Sequence, residues 1–272
     1  MPTKFTLLIL LLSCSAYRAI GQSDGLLQFS VGPSFLTRQD LVFSPFIHTD
    51  FSLFNGGLEY QCNKRGHQFF RMNYAGFETG LQTPYDYIFD DSIATAYPHD
   101  FTFAQIAYGH GFSIGKRDTL RPTAGFAVQM DIQAMTYQYG RFSFFGYYST
   151  TALNVWYRHT FPIGNKSRII GMVEAPLVSW LTRSPYLVND DDFIENTYSH
   201  NGFETFFEYL ADGHIATWDE VQRVDLGLQY QYDLSRTWAV GAAYKFSFIH
   251  ASEPRDLYSI QNNFNLTLGF KL

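Results

Sequence analysis

The stretch that decides the fold is Ser259-Ile-Gln-Asn-Asn-Phe-Asn-Leu-Thr-Leu-Gly-Phe-Lys-Leu272, with which the sequence ends. From Phe264 onward, apolar side chains occupy every second position and polar or small side chains lie between them. Because successive side chains of a β-strand point to opposite faces, one face of this strand is apolar. Left as an open edge, the strand would recruit other chains through its unpaired backbone groups. We therefore expect it to pair with the first strand and close a barrel, with its apolar face toward lipid.

The composition agrees with a membrane barrel. Aromatic residues make up 18% of the chain, and glycine is also abundant, at 21 residues. Beyond the N-terminal segment, no apolar run reaches the roughly 20 residues that a membrane helix needs. In a transmembrane barrel, lipid-facing and lumen-facing residues alternate, so their hydropathies cancel in any sequence window. A soluble secreted β-sandwich shares some of these traits, and the order of strands and loops has to separate the two classes.

The first 21 residues predict a secretory signal peptide. Lys4 supplies the positive charge, residues 5–12 form a short apolar core, and Ala19-Ile20-Gly21 provides small residues at the cleavage site. The predicted division is a signal peptide over residues 1–21 and a barrel over residues 22–272.

A second interpretation of the N-terminus remains open. Leu11-Leu12-Ser13-Cys14 has the pattern of a lipoprotein site, in which lipid would be attached to Cys14. If cleavage instead follows Gly21, Cys62 is the single cysteine left, and an intramolecular disulfide is excluded.

Nine further segments alternate like the last one, and the connections between them fall into two classes. Connections after the odd-numbered strands are longer than those after the even-numbered strands, which places short turns at one rim of a barrel and long loops at the other. We predict ten strands, with eight and twelve as alternatives, and a bulge at Gly56-Gly57 in the second strand. The connection after the first strand is predicted to reach about Thr49. The predicted strands are 27–35, 51–62, 67–77, 101–115, 124–133, 148–161, 168–180, 224–232, 238–248 and 264–272.

These features resemble the outer-membrane β-barrel proteins of Gram-negative bacteria, especially those of the Bacteroidota. The resemblance is carried by the cleavage region Ala19-Ile-Gly-Gln22, by the alternation rich in Tyr, Phe and Gly, and by the ending Leu268-Gly-Phe-Lys-Leu272. That ending is similar to the strand that such proteins present to the barrel-assembly machinery, although it ends in Leu instead of Phe. The resemblance implies export to the outer membrane, contact with its lipid and lipopolysaccharide, and assembly by that machinery. It does not imply an activity.

Six charged side chains are predicted to point into the lumen, because they occupy the polar face of their strands. Mixed charges inside a barrel of about ten strands will pair across the interior, and so narrow a barrel is mostly filled by its own side chains. A plugged lumen is therefore our main hypothesis, and a narrow pore or uptake channel for a small solute is the alternative. The six residues are Arg71, Asp131, Arg158, Glu174, Asp225 and Lys245.

The second and fourth long connections hold more than half of the 25 acidic residues. Such loops are solvated surfaces, or they bind or shield something at the cell surface. Asp190, Asp191 and Asp192 are candidate ligands for a divalent cation that bridges lipopolysaccharide phosphates, although they lack the spacing of a known calcium loop. No other cofactor is predicted. A net charge of −6 without an outward basic patch gives no support to nucleic-acid binding, so no nucleic-acid partner is predicted.

The longest connection also predicts a short amphipathic helix. Phe203, Phe206, Phe207 and Leu210 stand at helical spacing, and Gly213 follows as a C-cap. The helix would serve as a lid over the barrel mouth or as an apolar surface for a lipid or protein partner.

Four loop residues offer a catalytic alternative. Asp90 and Asp91 lie in the second long connection, and Asp212 and His214 lie in the fourth, so the four side chains could activate a water across the mouth. The arrangement is similar to that of omptins, ten-stranded outer-membrane proteases with an acidic pair in the second loop and Asp-x-His in the fourth. In omptins the acidic residues are separated by one position, whereas here they are adjacent. The main prediction is a non-enzymatic barrel with acidic extracellular loops, and an omptin-like protease is an alternative.

Overall fold

The computed structural model describes residues 25–63, 66–79, 85–89, 91–96, 99–114, 122–139, 142–184 and 209–272. These residues are almost entirely β-strand, with one helical turn at 209–211. Among them, no helix has the length and apolar character that crossing a membrane requires.

Thirteen strands form within the described residues. They are β1 (Gly25–Asp40), β2 (Ser44–Cys62), β3 (His67–Thr79), β4 (Tyr85–Phe89), β5 (Ser92–Ala96), β6 (His99–Ser113), β7 (Thr123–Tyr139), β8 (Phe142–Pro162), β9 (Ser167–Arg183), β10 (His214–Ala216), β11 (Val221–Asp233), β12 (Trp238–Ala251) and β13 (Leu257–Lys271).

Ten of these strands close into one antiparallel barrel. Each strand pairs with the next barrel strand along the chain, and β13 pairs with β1 from Leu26 opposite Lys271 to Asp40 opposite Leu257. Two pieces lie outside this cycle: β4 and β5 form a hairpin between β3 and β6, and β10 pairs with the end of β9. The structure confirms the predicted closed barrel, its ten strands in the described residues, and the pairing of the last strand with the first.

Several strands extend further than the sequence pattern predicted. The connection between β1 and β2 comprises only residues 41–43, so its predicted extension to about Thr49 is wrong. Likewise, β7 continues to Tyr139 and β8 begins at Phe142. These connections are therefore short, and the predicted sorting by loop length fails for both. The physical reason is that these hairpins continue beyond the lipid. Outward-facing positions there, such as Thr37, need not be apolar, so the alternation of apolar and polar residues disappears although the backbone pairing continues.

The predicted bulge in β2 is present but displaced. The register with β3 shifts between Phe51 and Gly56, so the extra residue lies just before Gly56-Gly57 rather than at the glycines. At Gly57 itself the backbone stays in register opposite Ser30 and Asn73. An added Cβ would lie 2.5 Å from the Ser30 Oγ, so the crowded lumen explains this glycine.

The outer surface carries a continuous apolar belt, and the inner surface is polar or small-sided. On β13, Phe264, Leu266 and Leu268 are exposed outward while Asn263, Asn265 and Thr267 are buried inward. Lipid is the environment that such a belt requires, so the chain is a transmembrane barrel. The exposed belt includes Phe29, Val31, Phe35, Phe51, Leu53, Met72, Tyr74, Ile106, Tyr108, Phe126, Val128, Leu153, Val155, Val173, Leu226, Leu228, Tyr230, Phe264, Leu266 and Leu268.

Aromatic pairs mark both ends of the belt. Trp238 and Phe270 pack with ring centroids 5.1 Å apart near one rim, and His250 stacks on Tyr258 at 4.4 Å near the other. The twelve residue-to-residue steps from Tyr258 to Phe270 span about 30 Å along the axis of a barrel whose strands tilt by about 40°. This length matches the hydrocarbon core of a bilayer.

We expect a charge on the belt to destabilise the barrel according to its depth. Leu266 lies near the middle of the belt, so Leu266→Lys should lower the free energy of unfolding in phospholipid vesicles by about 2–4 kcal/mol. Tyr258→Lys at the belt edge should cost no more than about 1 kcal/mol. Denaturant titration of the two vesicle-folded variants measures the difference. Equal costs at both positions would show that the belt does not face lipid.

Candidate functional site

The lumen is divided into layers, and the layer nearest the loops is apolar and aromatic. We call the rim that carries the 184–220 connection the loop rim, and the opposite rim, where both ends of the barrel lie, the turn rim. Phe77, Phe101 and Tyr148 have no exposed surface. Together with their neighbours they fill the lumen just below the loop rim. This loop-side layer consists mainly of Leu36, Phe43, Phe77, Phe101, Phe103, Met135, Tyr137, Tyr148, Leu181, Val221, Ile249 and Leu257.

A buried ionic cluster caps this layer. The Asp40 carboxylate accepts hydrogen bonds from Arg38 at 3.1 Å and from Arg183 at 2.7 Å, and all three side chains are almost completely buried. Arg183 also donates to the backbone carbonyls of Glu253 at 2.6 Å and Arg255 at 2.5 Å. Thus one guanidinium holds the connection between β12 and β13 over the lumen.

Two histidines and an aspartate lie at the edge of the same layer. The His99 Nε2 is 3.0 Å from an oxygen of Asp50, and the His99 ring stacks on Phe101 at 4.4 Å. The His48 ring meets His99 edge-on at 4.5 Å. The sequence did not point to this cluster, because its members are up to 51 residues apart and only the β2–β3–β6 register brings them together.

The central lumen contains the first of two linked ion pairs. Arg71 donates to the Glu174 carboxylate at 2.9 Å, across the barrel from β3 to β9. Asn154, one strand away on β8, donates to the other oxygen of Glu174 at 2.7 Å. Both carboxylate oxygens are therefore used, which a buried charge requires.

The second ion pair is centred on Arg223. Its guanidinium donates to Asp131 at 2.8 Å and to Asp225 at 2.8 Å. Gln129 joins the two pairs when its amide is oriented with the oxygen toward Arg223, the orientation that satisfies both ends of the amide. The oxygen then accepts from Arg223 at 3.0 Å and the nitrogen donates to Glu174 at 3.1 Å. The result is a continuous polar network across the barrel.

The remaining two predicted lumen residues are cations bonded to neutral groups. Lys245 donates to the side-chain oxygen of Asn73 at 3.1 Å. Arg158 contacts the ring of His67 at 3.1 Å and donates to the Gln61 oxygen at 3.1 Å. All six residues thus lie inside the barrel, four of them in ion pairs.

A cavity of about 140 Å³ lies beside the central network. On β12 and β13 its wall includes the small side chains Ala243, Ser247 and Ser259. Its lining is rich in amides and hydroxyls, such as Gln28, Asn73 and Asn263. A polar space of this size will hold water, but the loop-side layer closes the described lumen above it.

Only three of the four residues of the catalytic alternative lie in the described part of the chain. Asp90 lies outside the described residues, and Asp91 is exposed in the β4–β5 turn with a φ of 58°. His214 contacts the Glu220 carboxylate of its own connection. Among the described residues, no hydrogen bond or ion pair joins Asp91 to Asp212 or His214.

Two further loop predictions fall mostly on undescribed positions. Asp190, Asp191 and Asp192, proposed as cation ligands, lie outside the described residues, as do Phe203, Phe206 and Phe207 of the predicted helix. The helical turn at 209–211 is where that helix was predicted to end. It is fixed by the Trp180 Nε1, which donates to the Leu210 carbonyl at 2.8 Å.

The loop rim is acidic where it is described. Exposed carboxylates include Asp86, Asp91, Asp100, Asp212, Asp219 and Glu253. The side-chain hydrogen bond from Thr217 is the main reason that the pKa of Asp219 lies below its usual value, so this carboxylate is an anion at neutral pH. In contrast, the turn rim carries Lys166, Arg168, Arg236 and Lys271, and Asp233 accepts hydrogen bonds from two of them.

Comparison with known proteins gives structural similarity only. No protein-family model and no curated protein matches the sequence. Among solved structures, the chain is similar to Neisserial surface protein A (8% identity, TM-score 0.37, covering 92% of this chain and 98% of that one). It is also similar to the outer membrane protease OmpT from Escherichia coli (6%, 0.46, 91% and 96%). A third is the translocator domain of the autotransporter NalP from Neisseria meningitidis (9%, 0.44, 99% and 96%). At this identity and overlap, no activity is inferred from them.

Breaking the central network should cost far more than breaking an ion pair at the turn rim. Glu174→Ala leaves the Arg71 charge without its acceptor, so we expect the free energy of unfolding to fall by about 3–5 kcal/mol. As a control, Arg168→Ala removes one half-exposed partner of Asp233 and should cost about 0–1 kcal/mol. Denaturant unfolding of both variants tests this. Similar small losses would mean that water screens Glu174 as it would at a surface.

Proposed function

We propose that this protein is a non-enzymatic outer-membrane barrel that does not conduct solutes and acts through its loop rim. The observation that carries the proposal is the loop-side layer. A solute path needs a continuous wet, polar passage, but here side chains such as Phe101, Tyr137 and Tyr148 fill the lumen beneath the loops.

The distribution of charge supports a role at the loop rim. In the described part of the chain, exposed carboxylates outnumber the one exposed cation, Arg255, at the loop rim, whereas the turn rim carries Lys166, Arg168, Arg236 and Lys271. In outer-membrane barrels, the longer loops face the cell exterior and the short turns face the periplasm. The acidic surface is therefore the one offered to the surroundings, and it suits either binding at the cell surface or a structural role in the envelope.

We further propose how the protein reaches and occupies that membrane. A signal peptide over residues 1–21 would direct export, and the closing strand β13 would present its alternating face to the barrel-assembly machinery of a Gram-negative cell. Lipopolysaccharide is the proposed lipid partner on the loop side. Because its phosphates and the loop carboxylates have the same sign, a divalent cation has to bridge them.

The absence of conduction can be tested in planar bilayers. The purified barrel should give no stable current steps, because the loop-side layer leaves no wet path. A variant in which Phe101, Tyr137 and Tyr148 are all replaced by serine should give steps, provided that heat-modifiable gel migration shows it to be folded. Stable steps from the unaltered protein would overturn the proposal and favour the pore.

The cation bridge can be tested with lipopolysaccharide and Mg²⁺. Replacing Asp190, Asp191 and Asp192 together by asparagine should reduce Mg²⁺-dependent retention of lipopolysaccharide on the purified barrel severalfold, because three charges for the cation are lost. Asp219→Asn, a single change on the same rim, should have little effect. Retention that is unchanged in the triple variant, or that persists in chelator, would contradict the bridge.

A further inference from the structure

Three side chains at the loop rim converge although they come from three different parts of the chain. His214 begins β10, Glu220 precedes β11, and Glu253 lies in the connection between β12 and β13. The imidazole nitrogen and one oxygen of each carboxylate all lie within 4.8 Å of one another. This histidine and two glutamates were not singled out together by the sequence, because 39 residues separate the first from the last.

The backbone around each of the three is fixed independently of their side chains. The Ser252 N–H donates to the Glu220 carbonyl at 3.0 Å, which joins the two carboxylate-bearing segments. Arg183 holds the Glu253 carbonyl at 2.6 Å. His214 is placed by the pairing of β10 with β9, where it stands opposite Leu181. Little ordering of the backbone is therefore left for a ligand to impose, which favours binding.

The cluster has an excess of negative charge. In the described part of the chain, no lysine or arginine side chain forms an ion pair with Glu220 or Glu253. His214 contacts Glu220 and can offset at most one carboxylate, and only while it is protonated. A dication would neutralise both carboxylates and would use the imidazole as a neutral ligand.

We propose that His214, Glu220 and Glu253 bind a divalent transition-metal ion, with Zn²⁺ as the preferred ion. Zinc accepts imidazole nitrogen and carboxylate oxygen together, whereas Ca²⁺ and Mg²⁺ take oxygen ligands. Ligand atoms about 2.1 Å from a tetrahedral zinc lie about 3.4 Å apart. The most distant pair of ligand atoms therefore has to approach by no more than about 1.4 Å, whereas the His214 and Glu220 atoms, which are in direct contact, have to move apart. Side-chain rotation supplies both movements.

Three protein ligands leave at least one coordination position of the metal open. A water, or an oxygen of a surface ligand, fills such a position. The metal would also fasten β10 and the turn before β11 to the connection between β12 and β13. The proposal does not depend on whether the lumen conducts, since all three ligands lie at the rim.

Isothermal titration of the full chain with Zn²⁺, without a polyhistidine tag and folded in detergent, tests the site. We expect one ion per chain with a dissociation constant in the micromolar range. His214→Ala and Glu253→Gln should each weaken binding about tenfold or more, since each removes a ligand. The matched control is His250→Ala. His250 lies at the same rim and pairs with Asp256 at 3.3 Å, but the described structure supplies no third metal ligand beside this pair. The His250→Ala variant should therefore bind Zn²⁺ as tightly as the unaltered protein.

Further results distinguish a specific zinc site from general cation binding by an acidic surface. A tenfold excess of Ca²⁺ should leave the bound Zn²⁺ in place, because Ca²⁺ gains little from an imidazole. Displacement by Ca²⁺ would overturn the proposal, as would equal weakening by His250→Ala and His214→Ala. Absence of Zn²⁺ binding at millimolar concentration would also overturn it. None of these results bears on conduction, so failure here is distinct from failure of the closed-barrel proposal.

Discussion

The constraint on which the whole structure depends is that lipid offers no hydrogen-bond partner to the backbone. Every N–H and C=O within the hydrocarbon must therefore be paired inside the protein, and a sheet satisfies this only by closing on itself. Closure here is the pairing of β1 with β13, which extends over almost the full length of both strands. Because closure fixes which face of each strand points outward, it also determines the apolar belt, the polar lumen and the position of both rims.

Closure creates a second requirement, because the polar face of every strand now points into a narrow interior. The lumen of a ten-stranded barrel is too narrow for water to solvate isolated charges freely, so the charged side chains have to form ion pairs with one another. The link from Arg71 through Glu174 and Gln129 to Arg223 meets this requirement at the barrel centre. Near the loops, aromatic and aliphatic side chains fill the lumen around the buried Arg38, Asp40 and Arg183 side chains and exclude water. One lumen thus contains a polar half that tolerates water and an apolar half that does not.

The sequence was most informative where lipid imposes a strict pattern. The alternation from Phe264 to Leu272 predicted β13, its partner and its lipid-facing side. The positions of Arg71, Glu174 and Asp225 inside the barrel likewise followed from their place on the polar face. Prediction weakened above the lipid, where Thr37 faces outward and the pattern no longer separates strand from loop. It failed to find clusters such as His99 with Asp50, because their proximity depends on register between strands, and period-two alternation carries no information about register.

The difference between positions within the lipid and positions beyond it explains why the sequence predicts the fold but not the proposed function at the loop rim. The membrane determines which side chains are accepted in the belt and the lumen, so these side chains indicate their environment rather than a ligand. At the loop rim that constraint ends, and side chains there are free to be selected for chemistry. Two of the three residues proposed to bind a metal, His214 and Glu253, are held by β10 and by Arg183 respectively. Arg183 also anchors to Asp40 inside the lumen. A buried guanidinium therefore connects the layer that closes the barrel to the surface where the protein meets its surroundings, and loosening the lumen at Asp40 should disturb the rim as well.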